Sequence, residues 1–184
     1  TIQAGKGENV TVVDQNGMAV SFINSLFAGF GSGIVTRKSG IVLQNRGSGF
    51  VLTEGHANAI APGKRPLHTL VPAMATKDGK PWLSFGVMGG HLQPAGHAFV
   101  LTNRLDYGMD LQESVDFPRI FFEAGETLVE ESVAQKTRDG LAAMGHRIAV
   151  RPDPWGGAQM IEMDHARGVL VGACLLYTSP SPRD

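Results

Sequence analysis

The sequence holds one cysteine, Cys174, in 184 residues, so no internal disulfide can form and a stapled scaffold is excluded. It also lacks a charge excess. Sixteen Lys and Arg against seventeen Asp and Glu leave a net charge of -1, which removes any global pull toward nucleic acid or an anionic membrane. No apolar run approaches the ~20 residues that a spanning helix needs. Neither a nucleic-acid partner nor a membrane span is expected. G-x-G-x-x-G and G-x-S-x-G are both absent. His91 and His97 invite a metal reading, but their spacing is neither i,i+3 nor i,i+4, and no cysteine or carboxylate cluster completes a tetrahedral set. No metal and no cofactor is expected, and the cellular compartment stays open.

What is present is a 42% hydrophobic chain, long enough for one domain with its own core, and 24 glycines spread through turns rather than repeats. NVTVVD and MAVSFINS are β-branched and apolar runs joined across DQNG, where Asn16-Gly17 predicts a two-residue hairpin turn. Val12, Val20 and Phe22 on this hairpin are predicted core. FGSGIV and SGIVLQNRGSGF read as short strands between Gly-rich loops. Asp78-Gly79 predicts a second hairpin between apolar strands.

After Met88-Gly89-Gly90 the period changes. Leu92, Ala95, Phe99, Leu101 and Leu105 lie near helical spacing, with Pro94 in the first turn and Gly108 as a stop. DLQESVDF predicts a second helix capped by Asp110 with Glu113 at capping-box spacing, and SVAQKTRDGLAAMG a third ended by Gly145. Strands follow at HRIAV, AQMIEM and GVLVGA. The order of strands, two helices, strand, helix and strands argues for an α+β layered fold over a doubly wound parallel one.

The strongest local candidate for chemistry is SFGVMGGH, Ser84 to His91. A strand running through Gly89-Gly90 into a helix N-terminus offers backbone N–H groups and a favourable dipole to a developing oxyanion or a carboxylate. The plain alternative is a strand-to-helix turn that needs small residues, and spacing alone favours it. APGKRPLHTLVP gathers Lys64, Arg65, His68 and Thr69 in an extended segment, as an anion site or as a solvated loop. Thr1 has the chemistry of an N-terminal nucleophile, because its own α-amine can serve as the base for its hydroxyl. A sequence can also begin with threonine by accident.

Taken in order, SFINSLFAGFGSGIV, GIVLQNRGSGF, APGKRPLHTLVPAM and SFGVMGGHLQPAGH resemble the small, C-terminal catalytic subunit of the γ-glutamyltranspeptidase family, over about Val10 to Ala173. These are N-terminal-nucleophile hydrolases. The resemblance implies a four-layer αββα sandwich, of which this chain is the small-subunit portion, with residues 1-173 as one domain. It implies a precursor that cleaves itself and exposes a threonine, which attacks a γ-glutamyl or related acyl amide to form an acyl-enzyme. It implies oxyanion N–H groups at Gly89 and Gly90 and a supporting hydroxyl at Ser25. A large subunit from the same precursor is the implied partner, in a heterodimer, with a small-molecule γ-glutamyl or acyl-amide substrate.

The departures matter as much. Arg46 and Gly49 stand where glutathione-type members have polar and acidic residues after the motif that here includes Asn45. His68-Thr69 replaces a serine pair, and Phe27 an asparagine. Asn45, Arg46, His68 and Thr69 are the expected substrate-binding set of a branch nearer the acylases. The family spacing places the nucleophile seven residues before Asp14, at Gly7 rather than Thr1. The alternative reading is therefore an inactive relative that serves as a binding or scaffold protein. Finally, CLLYTSPSPRD has no periodicity and two Ser-Pro pairs. It resembles translated adapter read-through, so 174-184 is expected to be a non-native tail.

Overall fold

The first two apolar runs pair as an antiparallel hairpin of β1 (Glu8–Val13) and β2 (Ala19–Asn24). The structure, a computed structural model, describes residues 8–152 and 156–175. The turn differs from the Asn-Gly type. Gly17 has φ 80°, but Asn16 does not join it in the left-handed region. Instead the Asp14 carboxylate accepts the N–H groups of Asn16 at 2.8 Å and Met18 at 2.9 Å, closing a longer loop.

From Ser25 to Pro72 the chain holds little regular structure. The strands expected there shrink to isolated bridges at Val35–Val42 and Val51–Ala59 and one turn of 3-10 helix, Arg46–Gly49. Next come β3 (Ala73–Lys77) and β4 (Lys80–Met88), joined by Asp78-Gly79 with φ 52° and 75°. A 3-10 turn at Gly90–Leu92 leads into α1 (Gln93–Leu105). Then α2 (Leu111–Asp116) begins with the expected capping box. Asp110 accepts from the Glu113 N–H, and the Glu113 carboxylate accepts from the Asp110 N–H.

One expected strand is in fact a hairpin, β5 (Ile120–Glu123) and β6 (Glu126–Glu130), turning through Ala124 and Gly125 at φ 51° and 83°. Alanine gives no turn signal, which hid it. α3 (Gln135–Ala143) then crosses to β7 (Ile148–Arg151), parallel to β6. Finally β8 (Gly157–Asp164) and β9 (Val169–Leu175) complete an antiparallel sheet of order β3-β4-β8-β9.

β4 is buried on both faces, and its alternation assigns each face a different neighbour. Leu83, Phe85 and Val87 join Ala158 and Met160 of β8 in a core with Val100 of α1 and Leu111 and Val115 of α2. Ser84 and Gly86 face the β1–β2 hairpin. The Thr11 hydroxyl donates to Ser84 Oγ at 2.6 Å, and Ser21 donates to the Phe85 carbonyl at 2.8 Å. Asn9 lies over Gly86, and the amide orientation that satisfies both ends takes the Gly86 N–H and donates to the Phe22 carbonyl, each at 3.2 Å. Hairpin, sheet and helices thus stack as three layers, in keeping with the α+β class.

This packing overturns one expectation. Val12, Val20 and Phe22 are not core but 51%, 48% and 56% exposed. The hairpin turns its polar residues inward, toward small, hydrogen-bonding partners, and leaves its apolar face open. On α1 the buried residues are Gln93, Gly96, His97, Val100 and Asn103, whereas Ala95 and Leu105 are exposed. Gly96 sets that face. A Cβ there would stand 2.7 Å from Val87 Cγ1, so the helix can lie this close to β4 only through glycine.

Candidate active site

β4 ends at Met88, and the chain leaves it through Gly89 at φ 139° and Gly90 at φ 61°. Such angles suit glycine, and they turn the strand directly into the N-terminus of α1. No turn, cap or side-chain acceptor among the described residues takes the Gly89 or Gly90 N–H. The helix dipole adds partial positive charge at the same place. The opposite wall is Gly156, a residue that sequence reasoning missed. Its φ is 76°, and a Cβ there would stand 1.9 Å from the Met88 carbonyl oxygen, so two backbone segments touch at this turn.

A second cluster gathers around the end of β2. Ser25 Oγ accepts the Phe27 N–H at 3.0 Å, and Phe27 sits at φ 77°. Asn45 clasps this turn from both ends, donating its N–H to the Leu26 carbonyl at 3.2 Å and accepting from the Ala28 N–H at 3.1 Å. Arg46 lies beneath, 7% exposed, with Cζ 5.1 Å from the Phe27 ring centroid. Its Nη1 donates to the buried Thr69 hydroxyl at 3.2 Å. Burial lowers the pKa of the Arg46 guanidinium.

Gln93 connects the two clusters. This buried first residue of α1 accepts the Val71 N–H at 2.9 Å, two residues past Thr69. Ser25, Asn45, Arg46 and Thr69 are thus assembled together and tied to the Gly89–Gly90 turn. His68 stands apart. It is exposed, and its Nδ1 accepts the Leu70 N–H at 3.2 Å within its own loop. Thr1 lies outside the described residues, as does Gly7.

Two further residues shape the site. Phe27, which the sequence marked only as a departure from an asparagine, stands between Ser25 and the Gly-rich run, and Gln93, which was not singled out, opens the helix after Gly89-Gly90. His97, one turn beyond Gln93, is buried beside Phe85 with ring centroids 5.2 Å apart. Its Nδ1 donates to the Gln93 carbonyl at 2.5 Å. Burial pushes its pKa down, against the pull of the Gln93 and Val71 carbonyls. Among the described residues no group of three or more His, Cys, Asp or Glu is placed to hold a metal.

What this arrangement can do is hold an anionic oxygen at Gly89-Gly90 and recognise a polar group at Arg46 and Thr69. The same arrangement of elements occurs in known proteins. The chain is 42% identical over 170 residues to the glutathione hydrolase-like YwrD proenzyme of Bacillus subtilis, covering 88% of this chain and 32% of that protein. It is 40% identical over 184 residues to the oxamate amidohydrolase proenzyme of Klebsiella pneumoniae, covering 92% and 34%. Cephalosporin acylase from Bacillus halodurans superposes with a TM-score of 0.85 at 40% identity, covering 90% of this chain and 31% of that one. The chain therefore spans about a third of the length of the curated relatives it matches. Residues 2–176 match the family model described as gamma-glutamyltranspeptidase, and with that breadth of agreement the chain belongs to the gamma-glutamyltranspeptidase family.

Proposed function

We propose that this chain is the catalytic small-subunit part of a self-processing amide hydrolase or acyl transferase of the γ-glutamyltransferase type. The observation that carries the reading is the Gly89–Gly90 turn, with two backbone N–H groups at a helix N-terminus and no partner for them among the described residues. In the proposed reaction the nucleophile's hydroxyl oxygen adds to the amide carbonyl, and its proton passes to the α-amine. The carbonyl oxygen becomes an oxyanion held by Gly89 and Gly90. The C–N bond then breaks, and the amine leaves with that proton. Water or an acceptor amine attacks the resulting ester and restores the hydroxyl. Ser25, one residue past β2, supports the nucleophile. The relatives' names span glutathione, oxamate and cephalosporin chemistry, so an amide bond is the shared feature.

A large subunit cut from the same precursor completes the molecule in this reading. It covers the open hairpin face of Val10, Val12, Val20 and Phe22, and exposed residues of the 25–72 segment such as Phe30, Leu52 and Ile60. Residues 174-184 carry no function in this reading.

The test is to express the full-length precursor and follow it by intact mass. Cleavage into two chains is expected, with the smaller one beginning at a threonine and releasing p-nitroaniline from an acyl anilide. N-terminal sequencing decides between position 1 and the register of position 7. An uncleaved, inert precursor overturns the proposal and leaves the binding or scaffold role.

A further inference from the structure

We propose that His97 is a positioning residue that locks Gln93 of α1 to the Thr69–Val71 segment, and does so more tightly when protonated than when neutral. The kinetic part of this inference rests on the amide-cleaving reading above.

Gln93 is bonded at three points. Its N–H donates to the Gly90 carbonyl, its side-chain oxygen accepts the Val71 N–H at 2.9 Å, and its carbonyl accepts His97 Nδ1–H at 2.5 Å. The glutamine therefore spans the Gly89–Gly90 turn and the segment whose Thr69 holds Arg46. His97, four residues on and so on the same face of the helix, fixes Gln93 from behind.

The ring does more than fill space. His97 is 7% exposed, and its Nε2 has no hydrogen-bond partner among the described residues. A buried acceptor left unpaired is costly, and an apolar side chain of similar size would avoid that cost. Two carbonyls act on the ring, those of Gln93 and Val71. A neutral imidazole has one N–H to give them, and the Gln93 contact claims it. The imidazolium has two. Protonation therefore turns the orphaned nitrogen into a donor for the Val71 carbonyl, and α1 then holds Val71 by both its backbone groups.

Among the described residues no charged side chain competes for the ring. Arg104, the charged residue of α1, is paired with Glu162 of β8. His91, His68, Lys77 and Lys80 on the neighbouring turn, segment and strands are exposed, as are Asp110, Glu113 and Asp116 around α2. Neither these nor Arg46 behind Thr69 act on His97, whose proton affinity is lowered by burial and raised by the two carbonyls. Burial is the larger effect. The second bond therefore forms on the acid side of the ordinary histidine range and offsets part of the cost of charging the ring.

Hydrogen exchange and kinetics on the processed full-length enzyme test this together. Corrected for the intrinsic pH dependence of exchange, the Val71 N–H of wild type should be about threefold or more better protected at about pH 5.5 than at about pH 7.5. KM for an acyl p-nitroanilide should fall by about the same factor over that range, the worth of one modest hydrogen bond. His97→Asn keeps a donor for the Gln93 carbonyl but does not titrate. It should match wild type at the higher pH and lose both trends. His97→Phe removes the donor and should raise KM about tenfold at either pH, with kcat changed by less than about threefold. Gln93→Met, which frees the Val71 N–H, should do the same.

The proposal is overturned if Val71 protection in wild type is equal at the two pH values. It is overturned if His97→Asn keeps the wild-type trends, which assigns them to another group. It also falls if His97→Phe lowers kcat and stability but leaves KM and Val71 protection unchanged, the outcome of plain core packing. If no anilide is cleaved but Val71 protection rises on acidification in wild type and not in His97→Asn, the His97 assignment stands and the amide-cleaving reading falls.

Discussion

The two halves of the site are built in opposite ways. The Gly89–Gly90 turn grows from β4, whose odd residues enter a helix-covered core and whose even residues are bonded to the β1–β2 hairpin. The Ser25–Pro72 segment has almost no ladder of its own and is held by clasps such as Asn45 to Leu26 and Ala28, and Asn58 to Gly49 and Leu67. Its larger apolar residues, among them Phe30, Ile34 and Leu52, are exposed. In the proposed reading a rigid frame therefore carries the groups that need fixed geometry, and a loop segment carries those proposed to recognise a substrate. This is the usual division between scaffold and loop function.

That contrast can be broken where backbone meets backbone. Gly156→Ala places a Cβ 1.9 Å from the Met88 carbonyl at a φ of 76°, so the Met88–Gly89 turn must move. We expect a loss of about 2–4 kcal/mol in denaturant unfolding, from overpacking and strain together. A fall of about 10²–10³ in kcat/KM should accompany it if Gly89 serves the oxyanion. A variant with wild-type activity and stability would remove Gly156 from the site.

A smaller effect is expected on the helical side of the sheet. Arg104 grips Glu162 of β8 through two bonds of 2.9 Å each, and this pairing is the main cause of its raised pKa. Glu162 is largely buried, so Arg104→Ala should cost about 1–3 kcal/mol, read from the denaturation midpoint, with kcat/KM nearly unchanged.

His97 sharpens the comparison through pH. Its folded pKa lies below the ordinary histidine value of about 6.5, so below that pH the unfolded chain binds more protons than the folded one. Stability should fall as pH drops from about 6.5 toward the folded pKa and be flat just above it. His97→Gln should flatten that part of the profile in thermal melts; an unchanged slope would show that another group titrates.

The smallest change belongs to the loop segment. Gly47 has ordinary φ, and a Cβ there meets nothing within 4 Å, so Gly47→Ala should stay within about 0.5 kcal/mol of wild type. A large loss would mean that this segment is packed as tightly as the sheet.

Sequence legibility followed the same divide. The Asp110–Glu113 box and the Asp78–Gly79 turn are local devices, readable from a few adjacent residues, and both form as expected. The α+β class followed from the order of such elements. What misled were choices made by distant partners. Val12, Val20 and Phe22 alternate like core residues, but Ser84 and Gly86 select the polar face of the hairpin instead. The buried face of α1 was not legible, because its contact with Val87 depends on Gly96, which no hydrophobic count registers. Arg46 and Thr69 could be singled out by position, yet their contact across 23 residues and the Phe27 ring above them are facts of packing.

One contact at the sheet edge has a further consequence. Cys174 of the edge strand β9 offers its N–H and carbonyl outward, and the side-chain amide of Gln112 takes both, at 3.2 and 3.0 Å. The bond involves no side chain at position 174, so any residue able to hold extended backbone can serve there. Mutational tolerance at that strand end is thereby uncoupled from its closure. The glutamine also occupies the hydrogen-bonding slot through which a second chain would add to the edge, a safeguard against sheet-to-sheet aggregation that does not depend on what the strand is made of.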